Sequence, residues 1–326
     1  MAGFTNGAFR ALLRRLGGAG LIATEMVSAR AFVHLDAAGV GCPDRLWGVE
    51  NEPGPLAIQI WDNQPETLAR TAEKIAACYK PAVIDLNFGC PAPKIAKNSA
   101  SGSALLRHPQ RVGDIVAMVA RVCNPFGIPV TAKIRLGLTA DSVNAADVAQ
   151  AVEGGGGAAL TLHGRTAQQM YRGEADWEKI AAVKPYLKKI PLIGNGDIQT
   201  ALEALHRLRD FNVDGVMIGR AALRKPWIFR KAAALYFGTG ELVPPTNEET
   251  RELILTHFAL VRDRFGDEKG TLLMRKYAAE WSHGRYGGKR FRIEAAAAVT
   301  PNEFLEALTR FFNAAPDTND KMIDNI

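Results

Sequence analysis

Short apolar runs recur along the first part of this chain, and most of them end in a polar or glycine residue. They fall at 56–60, 82–87, 130–135, 159–163, 191–194 and 215–218, preceded by a run at 21–24 and by residues 1–3, which look like the tail of another. Helical patterns separate them at 65–78, 109–122, 144–153, 200–208 and 226–236. Strands that alternate with helices pair in parallel, because each helix carries the chain back to the same end of the sheet. Eight such repeats predict a TIM (β/α)8 barrel rather than an open doubly wound sheet. No GxGxxG fingerprint follows the first strand, which disfavours a Rossmann dinucleotide domain.

The strand ends carry the chemistry. Gln59 closes one run, and Asp85-Leu-Asn-Phe-Gly-Cys-Pro91 spans the end of the next. Lys133 and Arg135 follow, then His163, Gly164 and Arg165, then Gly194-Asn-Gly-Asp197, then Gly219-Arg220. In a barrel these positions ring one mouth, where such folds keep their active sites.

Cys90 sits between Gly89 and Pro91 on a short, stiff loop. A thiol so placed serves as a nucleophile, a metal ligand or a proton donor. A packing cysteine needs no rigid turn, so a buried structural role fits Cys42, Cys78 and Cys123 better than it fits Cys90. The four cysteines include no CxxC pair, which disfavours zinc and a disulfide framework and suits a reducing cytoplasm.

Lys133 at a strand tip needs an acidic or electron-rich partner. Asp85 is one candidate and a reduced flavin ring is another, with Gln59 adding amide hydrogen bonds to the ring edge. The glycine turns after the last two strands match the usual phosphate quarter of a barrel, and so predict a phosphate-bearing cofactor. A strand-end histidine is more often structural than catalytic, but His163 faces the same mouth as Lys133, which favours a cofactor contact.

At 326 residues the chain suits one large domain and a smaller one. The Gly/Pro-rich connector at 238–245 divides it, with residues 1–241 as the barrel and 242–326 as an all-helical domain. Thr246 or Asn247 is expected to cap the first helix there, and the polar tail after Ala315 is expected to fray. No run of about 18 uncharged apolar residues predicts a membrane span, and the start lacks a signal-peptide pattern. Net charge is +6, with Arg275, Lys276, Arg285, Lys289, Arg290 and Arg292 set against Glu280 alone between 275 and 292. That stretch is either a solvated face or a phosphate-backbone contact surface, the second reading favoured by interleaved Tyr277, Trp281, Tyr286 and Phe291.

These residues resemble the tRNA-dihydrouridine synthases, most closely the bacterial B-type branch. The anchors run from Met1-Ala-Gly-Phe-Thr-Asn6 with Phe9-Arg10 and Glu25-Met26, through the strand-end motifs above and Gly102-Ser-Ala-Leu-Leu106, to Ile218-Gly-Arg-Ala221 and Pro226-Trp227. The family's opening motif follows a strand ending in Ala-Pro, so a full first strand is expected upstream of Met1. The resemblance implies an FMN-bearing barrel, a helical domain that grips tRNA, and NADPH as electron donor. It implies hydride delivery from flavin N5 to C6 of a flipped uridine, with Cys90 protonating C5. It further implies flavin contacts from Met1, Gln59, Lys133, His163, Asn195, Gly196, Asp197, Gly219 and Arg220. Asn87, Arg135 and Arg165 are implied on the substrate side, with Lys289 and Arg290 on tRNA. No metal, membrane or obligatory protein partner is expected, and a monomer suffices.

Two rivals share part of this pattern. Another FMN barrel reducing a small enone or pyrimidine has no need of a basic helical appendage. An RNA-binding protein with a vestigial flavin site has no need of intact Cys90 and Lys133.

Overall fold

A computed structural model describes residues 1–240 and 243–314. One eight-stranded sheet carries β1 (Ile22–Ala23), β2 (Val27–Ser28), β3 (Leu56–Trp61), β4 (Val83–Asn87), β5 (Val130–Arg135), β6 (Ala159–His163), β7 (Leu192–Asn195) and β8 (Gly215–Met217). All pairings are parallel, in the order β1-β3-β4-β5-β6-β7-β8, with β2 also on β3. The architecture is a β/α barrel with a helical region, as the alternating runs predict.

The eight strands are not the eight runs. Residues 1–3 form a turn and no strand, which corrects the reading of Met1–Gly3 as a strand end. The run at 21–24 yields only β1; β2 follows it outside any predicted run, and the two short strands share β3 as neighbour. Ile22 pairs with Leu56, but Val27 pairs with Ile60, so the first segment carries one extra residue between the two ladders. That is a β-bulge, a device that re-aims side chains beside a site. Thr24 anchors it, donating its N–H to Ala57 O and accepting from Gln59 N through Oγ1. The bulge turns Met26 toward Asn87, whose Nδ2 lies 3.6 Å from the Met26 sulfur.

The strands are apolar on both faces, as in parallel sheets covered by helices. Ile58, Ile60, Ile84, Leu86, Ala132, Ile134, Leu160, Leu162 and Leu192 are all buried. The outer helices Pro65–Tyr79 and Pro109–Cys123 each start with proline at the first turn, where its missing N–H costs no hydrogen bond. Val112, Ile115, Val116 and Val119 give the second helix its buried stripe.

By their contacts the residues divide into two units: Met1–Gly3, Gly20–Ile198 and Glu203–Gly219 in one, Phe4–Ala19, Gln199–Leu202 and Arg220–Ile326 in the other. The expected boundary between 241 and 242 falls on Glu241 and Leu242, outside the described residues, as does the tail after Ala315. The observed division comes earlier in the chain. It assigns the helix Ile228–Phe237, read from sequence as the last barrel helix, to the helical unit. Within that unit Trp227 packs near Trp281, with ring centroids 6.4 Å apart.

The helical unit is built on Gly7–Leu16, Asn247–Phe265, Asp267–Trp281, Gly288–Ala297 and Pro301–Asn313. Thr246 and Glu249 form a capping box at one helix start, and Thr300 and Glu303 another, satisfying otherwise unpaired N–H groups. Phe9, His257, Tyr277 and Trp281 make one aromatic core cluster; Phe258, Phe291, Phe304 and Phe311 make a second. No helix among the described residues is long and apolar enough to cross a membrane.

Candidate active site

The sheet register sorts the predicted residues into layers. Gln59 lies opposite Asp85, and Asn87 opposite Lys133. Arg135, His163, Asn195 and Met217 are paired in turn across β5 to β8, one layer nearer the strand ends.

Asp85 is the hub of the lower layer. Its two oxygens accept from Gln59 Nε2 and Thr131 Oγ1, each at 2.6 Å. Burial pushes its carboxyl above the ordinary range; the two hydrogen bonds and the Lys133 charge oppose that rise. Asn87 Nδ2 donates to Gln59 Oε1 at 2.8 Å, extending the chain to the Cys90 loop.

Asn87 Oδ1 then accepts the N–H groups of Gly89 (3.1 Å) and Cys90 (2.9 Å). An asparagine side chain that mimics a turn in this way fixes the backbone that follows it. The Cys90 carbonyl accepts Ser103 N at 3.0 Å. Next to it Gly102 has φ +56°, and a Cβ there would stand 2.7 Å from Cys90 O. Glycine is therefore required twice over, by conformation and by space. Gly102→Ala should destabilise the protein by about 1–3 kcal/mol in urea unfolding, the usual cost of such backbone strain. An unchanged midpoint would contradict the close approach.

Lys133 is half-buried and makes no hydrogen bond or ion pair with any described residue. The alternative of a salt bridge to Asp85 is not formed. Burial, with the Arg135 charge added, lowers the ammonium to about 8, while Asp85 and Cys90 act in the opposite direction. A cation held near neutrality without a partner is poised to meet an electron-rich group.

The remaining site residues brace loops. Arg165 is 2% exposed, and its guanidinium grips Asp197 through two bonds of 2.8 and 2.5 Å and Gly173 O at 2.6 Å. Asp197 Oδ2 also accepts Ala175 N at 2.8 Å. Arg165 and Asp197, which the resemblance puts on substrate and cofactor, hold each other in this structure. The Arg165 Nη1 lies 3.5 Å from His163 Nε2. Asn195 Nδ2 donates to Met217 O at 2.8 Å, tying β7 to β8.

The glycines at the end of β7 answer mainly to packing. A Cβ on Gly194 would strike the Trp177 ring at 2.4 Å, and one on Gly196 would strike Ala175 Cβ at 2.4 Å. Trp177 Nε1 also donates to Gly196 O at 3.0 Å. Gly219, by contrast, has nothing within 4 Å of the space a Cβ would take.

Four other predicted residues are exposed. Met1 is exposed in the initial turn. Arg220 is exposed in the helical unit, as are Lys289 and Arg290 on the helix Gly288–Ala297. Arg290 pairs with Glu294 at 2.6 Å, and Glu294 also holds Arg310 at 3.0 Å, whereas Lys289 has no described partner. Of the four interleaved aromatics only Tyr286 is exposed; Tyr277, Trp281 and Phe291 are at most 2% exposed and belong to the core. Their spacing along the helices turns them inward, which corrects their reading as a contact surface.

Sequence reasoning missed Asp85 as a hub, Thr131, Ser103 and the Arg165–Asp197 pair. An asparagine three residues before a loop cysteine, with glycine between, is the local signal that could have exposed the Asn87 turn.

A β/α barrel with a loop thiol, a partnerless lysine and convergent amides at the strand ends defines an enzyme-type mouth. The dihydrouridine synthase (Dus) family model matches residues 1–316, and the chain belongs to that family. It is 38% identical over 314 residues to the tRNA-dihydrouridine synthase B of Proteus vulgaris, covering 96% of this chain and 93% of that protein. It is 37% identical over 322 residues to the "Probable tRNA-dihydrouridine synthase" of Mycobacterium tuberculosis, covering 97% of this chain and 82% of that protein. Among solved structures, a variant of NCR from Zymomonas mobilis is 16% identical with a TM-score of 0.49, over 80% of this chain and 87% of that one. That likeness is too distant to bear on function.

Proposed function

We propose that this chain reduces uridines in tRNA to 5,6-dihydrouridine in the cytoplasm, using FMN as its flavin and NADPH as electron donor. One observation carries the reading: the partnerless Lys133 ammonium shares the mouth with Cys90, whose loop is fixed by Asn87. The residues fit a flavin. Lys133 meets the electron-rich edge of the ring, with the amide of Gln59 beside it. His163, Asn195, Gly196 and Gly219 take the ribityl and phosphate side, and the open space at Gly219 admits close approach of a phosphate. Arg165 and Asp197 brace these loops.

Uracil C5=C6 is a conjugated alkene, so reduction needs a hydride at C6 and a proton at C5. The bound flavin supplies the hydride. Cys90 supplies the proton as general acid, and Lys133 stabilises the thiolate left behind, since the two charges attract. The base must leave the RNA stack to reach the barrel mouth, at a cost of a few kcal/mol. Phosphate contacts from the basic stretch of the helical unit offset that cost.

Lys289 is the stronger candidate for such a contact, because Arg290 is already held by Glu294. Lys289→Glu should weaken tRNA binding and reduce the log–log salt slope by about 0.7–0.9, the value of one phosphate contact. Arg290→Glu should do less. Equal affinity for wild type and Lys289→Glu at several salt concentrations would make this stretch only a solvated face.

The absorption spectrum of the purified protein tests the cofactor. A flavin spectrum that bleaches with NADPH under anaerobic conditions supports the reading. A colourless protein that neither binds added FMN nor reacts with NADPH overturns it.

A further inference from the structure

We propose that Arg135 is a positioning residue: its guanidinium latches the Cys90 loop to the segment 166–170, so that the thiol sits where that segment holds it. The role assigned to the thiol rests on the function proposed above; the latch itself does not.

The Arg135 side chain is buried, 3% exposed, and reaches two loops at once. Its Nε donates to Gly89 O at 2.9 Å, one residue before the thiol. Its Nη1 donates to Thr166 O and Met170 O, both at 2.9 Å. Only a planar guanidinium presents donors in a fixed fork able to serve three carbonyls on two segments; an ammonium cannot span them. The Gly89 and Thr166 carbonyls are buried, and buried carbonyls are costly to leave unpaired.

The far side of the latch is stiff. Thr166 N donates to Gln169 Oε1 at 2.7 Å, and Gln169 N donates back to Thr166 Oγ1 at 3.3 Å. Ala167 N and Gln168 N bond Gly137 O and Leu138 O, each at 2.9 Å. Met170 adopts φ +54°, a conformation that costs a non-glycine residue energy and persists only where its surroundings enforce it. The strained residue offers its carbonyl to Arg135. Next to it Tyr171 is exposed, with the Arg135 guanidinium carbon 5.7 Å from its ring centroid. A surface segment is thus wired to the backbone of Cys90 through one side chain.

Other ties of the Cys90 loop are the Asn87 turn, Ser103 N and the Phe88 N–H donated to Lys133 O. None of these reaches the segment 166–170, so Arg135 alone among these ties couples the two loops.

The test is the rate of Cys90 alkylation by iodoacetamide in the flavin-loaded protein without tRNA, read by peptide mass spectrometry, with Cys42 and Cys78 as internal references. Arg135→Ala should label Cys90 about tenfold faster, the change in open population that one lost hydrogen bond produces, with the references unmoved. Arg135→Lys, which keeps the charge, should resemble Arg135→Ala. Millimolar methylguanidine should slow labelling in Arg135→Ala and restore single-turnover dihydrouridine formation, which the variant loses by roughly 10²-fold at near-normal tRNA affinity. Wild-type labelling rates in both variants, with weakened tRNA binding instead, would make Arg135 a substrate contact and overturn the latch. Because labelling needs no tRNA, a wild-type protein that makes no dihydrouridine would defeat the functional reading while leaving the labelling result to decide the latch.

Discussion

Cys90→Ala should keep its FMN and bind tRNA as the wild type does, yet lose about 10²–10⁴ in the rate of dihydrouridine formation, the usual worth of a positioned general acid. The reason lies in the division of labour at the barrel mouth. The amides assigned to the flavin are held by groups other than the thiol: Gln59 by Asp85 and Asn87, and Asn195 by Met217 O. The Cys90 backbone keeps its ties through its N–H and carbonyl, which alanine retains. What disappears is the proton for C5, so hydride transfer has no partner step. Single-turnover kinetics with pre-reduced protein and unmodified tRNA measure this directly. Undiminished turnover would assign the proton to another group, while loss of flavin would mean that Cys90 is structural.

A second large effect concerns stability in acid. His257 is fully buried against Phe9, Tyr277 and Trp281, and neither ring nitrogen has a hydrogen-bond partner among the described residues. Burial, with the Lys276 charge added, lowers its pKa to about 3 from an ordinary value of 6.5. The native state therefore holds the ring neutral, while the unfolded chain takes up a proton below 6.5. The contribution is constant above that pH, and stability is lost as pH falls from 6.5 toward 3. The full loss is on the order of 5 kcal/mol, a large share of a typical folding free energy. His257→Phe keeps an aromatic ring and removes the titration, so its urea midpoint should fall less between pH 7 and pH 4 than that of the wild type. Parallel losses in the two proteins would contradict a proton-linked His257.

The main strands were legible because parallel strands buried on both faces read as continuous apolar runs. β3 through β8 lie where those runs predict, within a residue or two at their ends. The bulge between β1 and β2 was not legible. It exists only as a mismatch of register against Leu56 and Ile60, and a single run carries no information about its neighbour.

The candidate site divides in the same way. Gln59, Asn87, Cys90, Lys133 and His163 announce themselves by type and strand-end position. What each of them touches does not. Arg165 and Asp197 are 32 residues apart in sequence and meet only because β6 and β7 are neighbours. Gly194 reads as a phosphate turn until Trp177 is seen to occupy the space of its missing Cβ. The basic stretch misled for a related reason: charge and aromatic content can be counted along a helix, but the faces on which Tyr277 and Trp281 lie are set by what packs against them.

The most direct test of the account is product formation by the reduced protein. The protein is bleached anaerobically with a limiting amount of NADPH and mixed with unmodified tRNA, and dihydrouridine is measured by nuclease digestion and mass spectrometry as the flavin colour returns. The account predicts one dihydrouridine per flavin reoxidised, and no reoxidation by free uridine or cyclohexenone. A flavin that stays reduced with tRNA but recovers its colour with the small enone would contradict it.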